Sequence, residues 1–181
     1  MRYLIIFLVV GIMSCKSNSQ TNSTQTESNS ETEKAKAEVK ETFFINSQGE
    51  KIDKIEKTKE EWKDQLTKME FHVLREKGTE RANTGDLLKN KKSGVYTCAA
   101  CNLDLFASDT KYKSGSGWPS FYQPIDNTHI LEDTDYILGY GRTELTCKRC
   151  GGHLGHVFKD GPEPTGLRYC INSASLDFKE K

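Results

Sequence analysis

The sequence has no excess of charge: 26 Lys and Arg balance 26 Asp and Glu. A neutral chain presents no basic surface to a phosphate backbone, so nucleic acid is not an expected partner. Cysteine is sparse as well, six in 181 residues, which rules out a disulfide-dense scaffold. No apolar run reaches the ~20 residues that a spanning helix needs. The longest, Leu4 to Met13 after Arg2, has the length of a signal-peptide core.

What stands at the end of that run gives it meaning. "IMSC" places an aliphatic and then a small residue before Cys15, as in the lipobox of bacterial lipoproteins. The expectation is a signal peptide over 1–14 and a lipidated Cys15 that anchors the protein in the bacterial cell envelope. A plain signal peptide with an incidental cysteine is the alternative. Residues 15–41 are rich in Ser, Thr, Asn, Gln and Glu, have little to bury, and read as a disordered tether. About 26 flexible residues reach roughly 25–30 Å.

The remainder divides into a connecting segment, 42–57, and a domain, 58–181. In the former, Phe43, Phe44 and Ile45 suit a short strand docked on the domain. Thr58-x-x-Glu61 and Thr67-x-x-Glu70 are two consecutive capping boxes and predict helices over 59–66 and 68–77, the second ended by Gly78. After Gly94 come short β-like runs: "GVYTC", "LDLF", "FYQPI", "HILED", "YILGY", "TELTC", "GHVF" and "LRYCINSASLDF", separated by Gly, Pro, Asn and Asp. Helices followed by strands predict a mainly β domain with a short N-terminal helical segment.

Two C-x-x-C pairs, Cys98/Cys101 and Cys147/Cys150, are followed by Asn102 and Gly151, residue types that tolerate a left-handed backbone. Four thiolates on two such knuckles suit tetrahedral Zn²⁺, with no position left for chemistry. The long separation between the pairs makes the ion a staple between two hairpins. The rival is a pair of disulfides, since an exported protein meets an oxidising compartment.

That leaves Cys170. On a strand, Arg168, Cys170 and Asn172 share a face, with Tyr169 and Ile171 directed into the core. A guanidinium favours the thiolate form of a nearby thiol. A buried structural cysteine fits the spacing equally well. His153 and His156 follow the second knuckle and can supply protons near neutral pH. Trp118 sits in the Gly/Ser/Pro turn Ser114–Pro119, where a large ring can wall a pocket. His72 and His129 read as helix-surface and turn residues.

The strings "SGSGWPSFY", "HLGHVFKDGPEPTGLRYCINSASL" and "REKGTERANTG", with the paired C-x-x-C motifs, resemble the methionine-R-sulfoxide reductases, the MsrB family, from about Glu60 to Phe178. The resemblance implies two small twisted antiparallel sheets with one structural Zn²⁺. It implies Cys170 as nucleophile toward peptide-bound methionine-R-sulfoxide and His153 and His156 near the sulfoxide oxygen. It further implies Asp160 orienting a histidine, Arg168 keeping Cys170 ionised, Asn172 completing the polar side and Trp118 holding the S-methyl group. Many relatives carry a resolving cysteine where this chain has Ser116. An external thiol, a thioredoxin-like protein or a small thiol, is therefore expected to regenerate the enzyme, which is expected to be a monomer. A zinc-ribbon binding module would leave Cys170, the histidines and Trp118 without roles. A thiol–disulfide oxidoreductase would have redox-active C-x-x-C pairs and no zinc. Another small-molecule sulfoxide would fit the same chemistry.

Overall fold

The computed structural model describes residues 41–136, 139 and 141–181. The signal peptide, Cys15 and all but the last residue of the tether lie outside them, as does most of "YILGY".

Both capping boxes form. In α1 (Lys59–Gln65) the Thr58 hydroxyl accepts from the Glu61 amide, and the Glu61 carboxylate accepts from the Thr58 amide. Thr67 and Glu70 repeat this exchange at α2 (Lys68–Glu76). Each box satisfies donors that a helix start leaves orphaned. The end of α2 differs from expectation. Lys77, not Gly78, takes the left-handed conformation, at φ 55°. At Gly78 a Cβ would lie 2.2 Å from the His72 ring as it stands, so a side chain there would have to displace that ring.

The connecting segment forms an antiparallel hairpin of β1 (Phe43–Ile45) and β2 (Lys51–Asp53). Asp126 pins its turn, accepting from the amide and hydroxyl of Ser47. His129 lies in the 3-10 turn Asn127–His129, a turn residue as expected, but is buried there: it contacts Phe44 edge-on and hydrogen-bonds the Asp104 carbonyl.

Two larger antiparallel sheets make up the domain. One has the order β11-β3-β4, from β3 (Gly94–Cys98), β4 (Asp104–Ala107) and β11 (Leu176–Glu180). The other has six strands in the order β5-β6-β10-β9-β8-β7. These are β5 (Lys111–Tyr112), β6 (Ser120–Phe121), β7 (Ile130–Asp135), β8 (Arg142–Cys147), β9 (His153–Phe158) and β10 (Arg168–Ile171). The mainly β architecture expected from the sequence is present, with the N-terminal hairpin as a third, smaller pairing. "FYQPI" gives a strand only at Phe121, and "LRYCINSASLDF" is split by a 3-10 turn at Ser173–Ser175.

An aromatic core joins the two sheets. Phe121 stacks on Phe106 at 4.4 Å and meets Tyr96 edge-on at 5.0 Å, and Tyr169 packs against Phe106 at 5.8 Å. Fully burying such side chains contributes roughly 2–3 kcal/mol each. Tyr169 and Ile171 are the inward residues of β10, so packing one face of this strand fixes the outward direction of Cys170.

Candidate active site

The sheet register assembles the site. Cys170 is paired with Ser120 on one side and His156 on the other, and His156 is paired in turn with Glu144. Directly opposite residues of an antiparallel ladder share a face. One row across the sheet therefore carries a hydroxyl, a thiol, an imidazole and a carboxylate.

His153 and His156 are three apart, a spacing that puts residues of a regular strand on opposite faces. A β-bulge corrects this. Leu145 pairs with Gly155 and Thr146 with His153, so Leu154 is the extra residue. One inserted residue reverses the alternation. The two rings then meet edge-on, 5.4 Å between centroids. Gly155 is required at this point, since a Cβ would lie 2.1 Å from the Cys170 carbonyl oxygen.

Each imidazole is held by a carboxylate that the sequence did not single out. Nδ1 of His153 donates to Glu144 Oε1 at 2.7 Å, and Lys77 Nζ holds the other oxygen at 2.7 Å. Nε2 of His156 donates to Asp135 Oδ2 at 2.6 Å, an oxygen that also accepts from Arg142 Nη2 at 2.7 Å. His153 is 3 % exposed, and its Nε2 has no hydrogen-bond partner among the described residues. With Nδ1 carrying the proton, Nε2 is a buried lone pair.

Burial pushes the His153 pKa below the usual imidazole value, Glu144 draws it partly back, and His156 and Lys77 lower it. The consequence for stability has a definite sign. Above the unfolded value of ~6.5 the ring is neutral in both states; below it the unfolded chain takes the proton first. Stability should therefore fall as pH drops from about 7 toward the folded pKa. Melting curves between pH 7 and pH 5 should show a smaller fall for His153→Gln than for the native chain.

Asp160, expected to orient a histidine, does not. Both its oxygens accept from Arg168, Oδ1 from Nε and Oδ2 from Nη2, each at 2.9 Å. The guanidinium also lies over the Phe158 ring at 4.3 Å. Arg168 does pull the Cys170 pKa down, but burial is the larger influence and the thiol ends above its ordinary value. The expectation that Arg168 keeps Cys170 ionised at rest is thus outweighed by desolvation, with Asp160 opposing it further.

Asn172 is also placed differently. The strand ends at Ile171, so alternation stops, and Asn172 turns inward at 3 % exposure. It donates to the Leu154 carbonyl and accepts from the Glu80 amide. Glu80, another residue not singled out, accepts from the amides of Ser173 and Ala174 through its carboxylate. Its carbonyl accepts from Trp118 Nε1 at 3.1 Å. One buried residue thus fixes both the turn after Cys170 and the indole of Trp118. The Ser114–Pro119 loop brings Ser116 to the thiol, with Oγ 3.7 Å from Cys170 Sγ. Ser116, Ser114 and Ser120 hydrogen-bond one another, which gives the loop a defined shape.

The other four cysteines form a separate cluster whose sulfurs all lie within 4.8 Å of one another and which can hold a metal ion. Asn102 at φ 60° and Gly151 at φ 68° make the two left-handed turns. Cys98 Sγ is 3.7 Å from Cys150 Sγ, and Cys101 Sγ is 3.5 Å from Cys147 Sγ. A disulfide needs ~2.05 Å. Sulfurs ~2.3 Å from a shared tetrahedral ion stand roughly 3.8 Å apart. The donor set fits a metal and does not form disulfides. It joins the end of β3 to the end of β8, hence one large sheet to the other. Arg75 of α2 and Arg149 cover it, donating to the carbonyls of Cys150 and Cys101.

Residues 66–180 match the SelR domain family. The chain is 61 % identical over 127 residues to a protein of Methanosarcina barkeri named peptide methionine sulfoxide reductase MsrB, covering 69 % of this chain and 88 % of that one. Proteins with the same name from Leptospira interrogans and Acinetobacter baylyi are 58 % identical over 127 residues and 54 % over 128. They cover 70 % and 71 % of this chain, and 97 % and 92 % of their own lengths.

Proposed function

The chain belongs to the SelR (MsrB) family of methionine sulfoxide reductases, and from that premise we propose that it returns the R epimer of peptide-bound methionine sulfoxide to methionine through Cys170. The observation that carries this reading is the row of Ser120, Cys170, His156 and Glu144 across one face of the sheet, with Ser116 against the thiol.

The chemistry balances without a cofactor. One thiol and one sulfoxide give one sulfenic acid and one thioether. Cys170 sulfur attacks the sulfoxide sulfur and forms a sulfur–sulfur bond; the protonated oxygen then leaves the methionine sulfur with the sulfur–oxygen pair and bonds to the Cys170 sulfur, while the sulfur–sulfur pair returns to methionine as its lone pair. Oxygen ends on Cys170 as a sulfenic acid. The thiol carries the one proton that the departing oxygen needs, and desolvation raises its pKa above the ordinary thiol value. His153 and His156, each backed by a carboxylate, are the groups that hold and pass that proton. Trp118, fixed by Glu80, would pack on the S-methyl group.

Regeneration falls to an external thiol. The other described cysteines are committed to the metal cluster, and Ser116 occupies the place from which a cysteine would resolve the sulfenic acid. Two equivalents of thiol then yield Cys170 thiol, a disulfide and water; a thioredoxin-like protein or a small thiol would serve. Zn²⁺ is the ion that four thiolates suit, in a structural role. The lipobox reading of Cys15 supports membrane anchoring, and so repair of oxidised envelope proteins.

The test is a single turnover without reductant, using the full chain and a peptide carrying either epimer. One equivalent of methionine from the R epimer is expected, with a trappable sulfenic acid on Cys170 and no internal disulfide by peptide mapping. Product from the S epimer alone, or a disulfide to Cys170, would refute the corresponding part.

A further inference from the structure

The loop that touches Cys170 has a second side. Gly115, Gly117 and Trp118, neighbours of Ser116, line an open groove of about 1000 Å³ between the edge strand β5 and the segment 88–93. Its charge is one-sided. Lys89, Lys91, Lys92, Lys111 and Lys113 line it with a single acid, Asp109, in a chain whose charges cancel overall.

Two of those lysines are already used. Lys111 donates to the carbonyls of Leu87, Leu88 and Asn90 at 2.7–3.0 Å, which fixes one wall. Lys92 pairs with Glu180 at 2.7 Å. Lys89, Lys91 and Lys113 are exposed and make no ion pair or hydrogen bond among the described residues. Three free cations on the rim of a concave surface attract an anionic partner. An extended chain needs only such a rim of charges and an open trough.

We propose that this groove holds the polypeptide flanking the methionine sulfoxide and selects acidic segments, with Lys89, Lys91 and Lys113 as the contacts. The inference rests on the reading of Cys170 as a sulfoxide reductant and adds the class of protein segment it serves. Trp118 is the junction: Ser116 of its loop meets the thiol, and Trp118 itself lines the groove.

The experiment is a single turnover of the full chain, at subsaturating substrate and without reductant, so that reductant docking cannot contribute. Three substrates are compared as R epimers: a peptide with Asp and Glu around the sulfoxide, one with Lys there, and N-acetyl-methionine sulfoxide. The acidic peptide should react roughly tenfold faster than the basic one at low salt, with the gap closing as salt rises. Lys89→Glu/Lys91→Glu/Lys113→Glu should reverse that order and leave the N-acetyl substrate unchanged. Equal rates for the two peptides in the native chain overturn the proposal, as does a triple variant that keeps the native preference. A variant altered only in multiple turnover assigns the groove to the reductant and overturns it as well. No reduction of any substrate by the native chain would bring down the reading of Cys170 instead.

Discussion

Replacing Cys170 with serine should abolish methionine formation while leaving fold and metal content unchanged. The loss is expected to exceed ~10³-fold, because a hydroxyl cannot take the oxygen as a stable sulfenic acid equivalent and no second group in the row can act as nucleophile. The structural half of the expectation follows from where the strand puts its packing. Tyr169 and Ile171 carry the inward face of β10, and Cys170 points the other way. Its Sγ meets the Ser116 hydroxyl and the Arg168 guanidinium, polar contacts that a serine retains in kind. A melting temperature within a few degrees of native, an unchanged metal-to-protein ratio and no product in a single turnover would together place the chemistry on this sulfur. Residual stoichiometric reduction by Cys170→Ser would mean that another thiol is the nucleophile, and the metal cluster would then have to be reconsidered as a redox centre.

What could be read in the sequence and what could not divides along chain distance. The capping boxes, the two knuckles and the alternation in β10 are local patterns, each set by contacts a few residues apart, and their residues identify them. Glu80, Asp135 and Glu144 gave no such pattern. Glu80 reaches residues 92–94 positions away, and Asp135 and Glu144 reach their histidines only through the register of three strands. An acidic residue in a strand looks like any solvated one until the sheet is assembled. Asp160 shows the converse error. It lies four residues from His156 in sequence, but the chain turns back at Gly161–Gly166 and delivers it to Arg168. Asn172 was assigned by extending a strand one residue beyond its end. The bulge at Leu154 has a partial trace: Gly155 between two histidines is the residue that a close strand approach demands.

The second large effect is expected at the cysteine cluster, far from any bond that the reaction breaks. Cys98→Ser or Cys147→Ser should cost the native state most of its stability. Binding of structural zinc to four thiolates amounts to ~10 kcal/mol or more of folding free energy, against a total of about 5–15 kcal/mol for a domain. The location makes the effect global. Cys98 ends β3 and Cys147 ends β8, so an ion held there would tie the three-stranded sheet to the six-stranded one at the margin of their shared core. Losing one ligand also leaves three buried sulfurs without the charge that held them together. Native protein should contain one zinc per chain by metal analysis. After unfolding with chelator and no reductant, the described residues should yield five titratable thiols. The disulfide alternative yields one. The serine variants should lose zinc and melt well below the native chain, with activity lost in proportion to folded fraction. A variant that loses zinc yet keeps the native melting temperature would show that the aromatic core of Tyr96, Phe106 and Phe121 holds the sheets together unaided. The opposite result separates the two sulfur chemistries of this chain: four thiolates held closed around an ion for the fold, and one left facing outward to react.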